Sequence, residues 1–170
     1  MFCVKMIMSL IVATSPYPNS PNIYKISKRV CAWSEVRKLD PHDVLALIRH
    51  ESSFNRRLVS KTGDYGLMQV NKKYSRARCN LLKIGCNIKE GTRQMALWRY
   101  ACLNQHKHRR YNHWLRHYNW NSRNHHLHIL WVSKAYKSGN PKLLKIIKNR
   151  GYTKLRISYR CLKEGYCGAI

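Results

Sequence analysis

Apolar residues return at intervals of three and four along most of this chain, the period of helices with one buried face. Between Tyr24 and Leu39, the positions Ile26, Val30, Trp33 and Val36 keep that interval and predict a first amphipathic helix. Asp40-Pro41 ends it and opens a second: Asp40 is a good N-cap, Pro41 suits the first helical position, and Asp43 completes an acidic first turn. This helix should run to about Ser53 on a stripe of Val44, Leu47 and Ile48, and Glu51 falls on the same stripe. From Phe54 to Ser75 no period is sustained, and Gly63 and Gly66 mark a long loop with a short strand or turn about Leu67 to Val70. Asn87 and Glu90 have capping-box spacing and predict a third helix on Ile88, Gly91, Met95, Trp98 and Cys102. Tyr111, Trp114, Leu115 and Tyr118 define a fourth. His125 to Ser138, ending at Gly139, gives a fifth, and Asn140-Pro141 opens a sixth that stops before Gly151. The segment from Tyr152 to Ile170 has no clear pattern. The predicted class is mainly α, a single domain with one long loop and a small β element.

The ends and the cysteines bear on compartment. Residues 1–15, MFCVKMIMSLIVATS, have a basic Lys5, an apolar run from Met6 to Ala13 and small residues after it, the layout of a signal peptide. An ordinary buried strand is the alternative, and the run is too short to span a bilayer as a helix. Residues 16–23, with Pro16, Pro18 and Pro21, read as a break before a domain over 24–170 that ends in a basic extension. Removal of the leader would take Cys3 and leave six cysteines, Cys31, Cys79, Cys86, Cys102, Cys161 and Cys167, an even set suited to an oxidising compartment. Their pairing stays open, although Cys161 and Cys167 are close enough to close a small loop.

Charge narrows the chemistry. Among 170 residues, 33 Lys and Arg face 7 Asp and Glu, a net charge of +26, which draws the protein to polyanions. The acids are Glu35, Asp40, Asp43, Glu51, Asp64, Glu90 and Glu164, so a site built on a carboxylate cluster is nearly excluded. The nine histidines include the bunched pairs His106/His108 and His125/His126 with His128, but no HExxH accompanies them. They read as solvated helix faces, and neither metal nor cofactor is expected. Glu51 is the candidate for chemistry, because burial on an apolar face disfavours a charged carboxylate and makes it a proton donor near neutral pH. Glycosidic cleavage needs such a donor at the leaving oxygen.

The letters around Glu51 make this specific. Residues 51–71, ESSFNRRLVSKTGDYGLMQVN, resemble the catalytic segment of lytic transglycosylases and goose-type lysozymes: Glu-Ser, Phe, Ser-x-x-Gly, then Gly-Leu-Met-Gln. Asn87-Ile88 followed by Gly91 is similar to the family's Asn-Ile-x-x-Gly element, and Tyr118-Asn119 to its Tyr-Asn element. The resemblance covers about residues 38–122 and implies a lysozyme-like fold with a cleft. It implies Glu51 as catalytic acid and then base, with Ser52, Ser60, Gly66, Met68, Gln69, Asn87, Tyr118 and Asn119 meeting the substrate. Gln69 carries donor and acceptor for an N-acetyl group, and Gly63 and Gly66 would let the backbone approach the sugar. Trp120 to His126 departs from the family's continuation after Tyr-Asn and alters one cleft wall.

In that family one glutamate suffices, because the sugar's own C6 hydroxyl attacks the anomeric carbon and leaves a 1,6-anhydro end. Asp64 offers the alternative, a second carboxylate activating water as in a lysozyme-type hydrolase; a turn-forming Asp beside Gly63 is the preferred reading. The other alternative is a non-enzymatic, basic polyanion-binding protein on the same fold, supported by the mixed basic and aromatic residues between Arg93 and Arg123. The expected protein is an exported monomer of the periplasm or cell envelope that cleaves peptidoglycan strands. It would adhere to anionic envelope polymers and touch nucleic acid only non-specifically.

Overall fold

The computed structural model describes residues 1–105 and 123–149. Within them the order is α1 (Phe2–Thr14), α2 (Ile23–Arg37), α3 (Pro41–Ser52), β1 (Asp64–Tyr65), β2 (Val70–Asn71), α4 (Ile84–Gln105), α5 (Arg123–Ser138) and α6 (Pro141–Asn149). The chain is mainly helical, as the periodicity predicts.

Local chemistry sets several helix ends. Lys38 adopts a left-handed conformation and returns its N–H to Ser34 and Glu35 carbonyls, which stops α2. Asp40 then caps α3 by accepting the His42 N–H at 2.9 Å, with Pro41 in the first turn. Gly139, at φ +61°, closes α5 in the way the sequence predicts.

Helix α3 is the axis of the fold. A stripe of three apolar positions predicts one buried face, yet every residue from Asp43 to His50 is buried, because α1, α2 and α5 surround the helix. The long loop folds into an antiparallel hairpin that pairs Asp64 with Asn71 and Tyr65 with Val70. A single 3-10 turn, Lys72–Tyr74, follows it.

One expectation, the start of the third predicted helix, is corrected. Helix α4 begins at Ile84, ahead of Asn87, and Asn87 and Glu90 form no capping box. Asn87 reaches across to the hairpin, while Glu90 binds Arg93 and the Arg76 N–H. Residues 2–14, expected to leave as a leader, form in the full chain a helix with Ile7, Leu10 and Ile11 in the core. Each such side chain contributes roughly 1.5–3 kcal/mol by burial. Thr14 meets the Tyr136 hydroxyl at 3.0 Å, and Cys3, expected to depart, is disulfide-bonded to Cys31. A second disulfide, Cys79–Cys86, closes the loop before α4.

The predicted fourth helix, the pair Cys161 and Cys167, and the segment from Tyr152 onward lie outside the described residues. No helix among the described residues is long and apolar enough to cross a membrane.

Candidate active site

Glu51 stands in the last turn of α3, partly buried, where the central helix runs out toward the hairpin. The next residue fastens the two together. Ser52 is buried, and its hydroxyl meets the Ile48 carbonyl at 3.1 Å and donates to the Leu67 carbonyl at 2.8 Å. The Gly-Leu-Met-Gln segment is thereby held one residue away from Glu51 along the chain of contacts.

Asn87 fastens the same segment from the other side. Its amide nitrogen donates to the carbonyls of Tyr65 at 2.6 Å and Leu81 at 2.8 Å, and its oxygen accepts the Met68 N–H at 2.8 Å. At 1% exposure it braces the hairpin. Gly66 has φ +70°, and a Cβ there would come within 2.6 Å of the Asn87 amide nitrogen and 2.9 Å of the Leu81 carbonyl. Its freedom serves this internal approach. Met68 is fully buried and packs on Gly91, where a Cβ would meet the Met68 sulfur at 2.5 Å. The glycine of the Asn-Ile-x-x-Gly element is thus the seat of the methionine of Gly-Leu-Met-Gln.

Gln69 is partly buried at φ +43°, and its Nε2 donates to the carbonyls of Gly66 at 2.9 Å and Leu58 at 3.2 Å. Ser60 faces Thr62 at 2.8 Å and donates to Asp64 at 2.7 Å. Asp64 also accepts from Thr62 at 2.5 Å and Asn71 at 2.7 Å. Partial burial pushes the Asp64 carboxyl up, but these donors outweigh it and hold it below the usual range. Tyr118 and Asn119 lie outside the described residues.

A groove of about 900 Å3 opens beside the hairpin. Asp64, Gln69 and Asn71 line one side and Arg93, Leu97 and Trp98 of α4 the other, with Tyr74 and Arg76 between them. Glu90 builds that wall. Its carboxylate takes Arg93 in a two-point clamp at 2.6 and 2.9 Å and the Arg76 N–H at 3.0 Å. Burial raises the Glu90 carboxyl, and Arg93 with the Arg76 N–H more than offsets this.

The sequence reading missed two features. Trp98 was expected on the buried stripe with Ile88 and Met95, but it is exposed in the groove. His128, expected on a solvated face, is partly buried and meets buried His50 with 3.1 Å between their Nδ1 atoms. The contact joins α3 to α5. Nothing in local spacing signals a contact across 78 positions. No cluster of three metal-ligating side chains occurs among the described residues.

A family model described as the transglycosylase SLT domain matches residues 30–156, a span that contains Glu51, the hairpin and the Asn87 brace. No curated protein and no solved structure gives a significant match. With three quarters of its length inside that match, the chain belongs to the transglycosylase SLT domain family, whose members are peptidoglycan lytic transglycosylases.

Proposed function

We propose that the chain cleaves the β-1,4 bond between N-acetylmuramic acid and N-acetylglucosamine with Glu51 as its single catalytic carboxyl. Glu51 donates its proton to the leaving O4 as the anomeric C1–O4 bond breaks, and becomes a carboxylate. That carboxylate then takes the proton of the C6 hydroxyl, whose oxygen bonds to C1 and closes the 1,6-anhydro ring. No water is consumed, and Glu51 ends protonated as it began.

The observation that carries this reading is the state of Asp64. Three side-chain donors occupy its oxygens and depress its pKa, which makes it a weak base for activating water. The remaining described acids near α3 and α4 are already engaged: Asp40 and Asp43 with Lys137, Glu90 with Arg93. In this proposal Gln69, Tyr118 and Asn119 meet the substrate. Ser52, Ser60, Gly66, Met68 and Asn87 hold its shape. A hydrolase in which Asp64 activates water is the second reading, favoured by the fact that Asp64 lines the groove.

Peptidoglycan lies outside the cytoplasm, and the two disulfides support an oxidising compartment such as the periplasm or cell envelope. The +26 charge would hold a monomer on anionic envelope polymers. Glu51→Gln tests the proposal: it removes the proton and keeps the shape. Cleavage of purified peptidoglycan should fall by about a thousandfold with the melting temperature unchanged. Retained cleavage by this variant would overturn the assignment.

A further inference from the structure

Helices α2 and α4 pack side by side, and bases gather along the seam where they meet. The Arg29 guanidinium lies over Gly85, where a Cβ would come within 3.5 Å of its Nε. About one turn on, Lys89 of α4 sets its ammonium 5.4 Å from the ring centre of Trp33, and Arg37 of α2 sets its guanidinium 5.8 Å from the same ring. At the far end Arg99 donates to the Lys38 carbonyl. Position rises along both helices from one contact to the next, so the two run in the same direction.

These charges are unanswered. Arg29, Arg37, Lys38 and Lys89 have no carboxylate within ion-pair distance among the described residues, and the Arg37 Nε has no hydrogen-bond partner there. Glu35, the acid of α2, is two positions from Trp33 and so about 160° round the helix. On α4, Glu90 is turned to Arg93 and the Arg76 N–H. The Trp33 ring steadies the two cations beside it, and an anion between them would relieve the repulsion that remains.

The spacing says what kind of anion. From Arg29 to Lys38 the helix rises about 14 Å, with Trp33 and its two cations near the middle. A phosphodiester chain of three-carbon alcohols repeats every six bonds, twice the length of a peptide residue, so its phosphates stand about 7 Å apart. Three consecutive phosphates therefore meet three stations: Arg29, the Arg37 and Lys89 pair, and Lys38. Guanidinium forks suit such oxygens. Trp33 is partly buried with both cations against its ring, so it gives no open platform for stacking a base. Tyr24, the exposed aromatic of α2, lies on the opposite side of the helix.

We propose that the seam between α2 and α4 docks a linear phosphodiester polymer of the envelope, of the poly(glycerol phosphate) kind, with its phosphates on these three stations. The proposal rests on the reading that the positive charge holds the chain on envelope polymers and gives that attraction a site. It does not depend on which carboxyl performs cleavage.

The test titrates a fluorescent oligo(glycerol phosphate) with the full chain at about 0.1 M salt, where charges more than about 10 Å away are screened. Arg37→Gln with Lys89→Gln should weaken binding about tenfold, as the loss of two surface pairs implies. Lys142→Gln with Lys145→Gln removes the same charge from the exposed side of α6 and should change binding by less than about twofold. Arg29→Gln, at an exposed side chain, should weaken it about threefold and reads the seam even if the double variant fails to fold. Seam variants that bind as the unaltered chain does, or that lose no more than the α6 variant, would overturn the proposal while the envelope reading stands. An unaltered chain that binds no polymer would remove the envelope reading itself. Tighter binding of single-stranded DNA with the same number of phosphates, lost in the seam variants, would make the partner a nucleic acid and contradict the proposal. So would a seam effect confined to phosphatidylglycerol vesicles.

Discussion

Asn87 uses both amide hydrogens and its carbonyl oxygen on three backbone groups, so its replacement strands several buried partners at once. Asn87→Ala leaves the Met68 N–H and the Tyr65 and Leu81 carbonyls unsatisfied at a site with no room for easy rearrangement beside Gly66. The expected loss of stability is on the order of 3 kcal/mol, read from denaturant unfolding. Cleavage should fall with it even at temperatures where the variant is folded, because the segment bonded to Ser52 loses its second support. A variant with native stability would show that the brace carries little. The same residue shows what sequence reading gives at this scale. The motif marks Asn87, Gly66, Met68 and Gly91 as belonging together, but whether an asparagine meets sugar or backbone depends on what lies 20 positions away.

Helices α3 and α5 are joined at the end opposite Glu51 by a small charged cluster. Lys137 of α5 meets Asp40 at 2.8 Å and Asp43 at 3.5 Å, and Ser133 donates to Asp43 at 2.5 Å. Burial raises the Asp40 carboxyl, but His42 and Lys137 outweigh it and hold it well below the usual range. For Asp43 burial wins, and the carboxyl is pushed up despite Ser133 and Lys137. The two acids therefore have opposite signs in acid: Asp43 favours folding as it takes up its proton, and Asp40 loses its contribution as pH falls from its unfolded value of about 4 toward its lower folded one. Asp40→Asn keeps a good N-cap and removes the charge. It should melt below the unaltered protein at pH 7, and the gap should narrow progressively below about pH 4. A gap independent of pH would mean that the ion pair contributes nothing.

Much of the element scale was legible from local signals. Asp40-Pro41 and Gly139 announced helix ends because capping is decided within a few residues. The start of α4 was misplaced because Asn87 and Glu90 have capping-box spacing but bond to Tyr65 and Arg76, which spacing does not reveal. Helix α3 read as amphipathic because its polar members, Asp43, Arg49 and His50, are buried through distant partners on α5 and α6. The first helix has the composition of a leader, and in the full chain it also sets Ile7 and Ile11 in the core and Cys3 against Cys31.

At the scale of the molecule, a scarcity of acids and an excess of bases shape both attraction and chemistry. The +26 charge acts at long range on any anionic envelope, while the seven acids leave little choice of catalytic group. Glu51 stands at the end of the central helix, and Asp64 is saturated by Ser60, Thr62 and Asn71 on the groove wall. The choice between them decides the reaction, since attack by the C6 hydroxyl and attack by water give products differing by one water. The most direct measurement is the mass of the muropeptides released from purified peptidoglycan by the unaltered protein and by Asp64→Asn. The account predicts 1,6-anhydro ends, one water lighter than reducing ends, from both proteins, with substantial activity retained in the variant. Reducing ends from the unaltered protein, together with a folded but inactive Asp64→Asn, would contradict it and make Asp64 the base of a hydrolase.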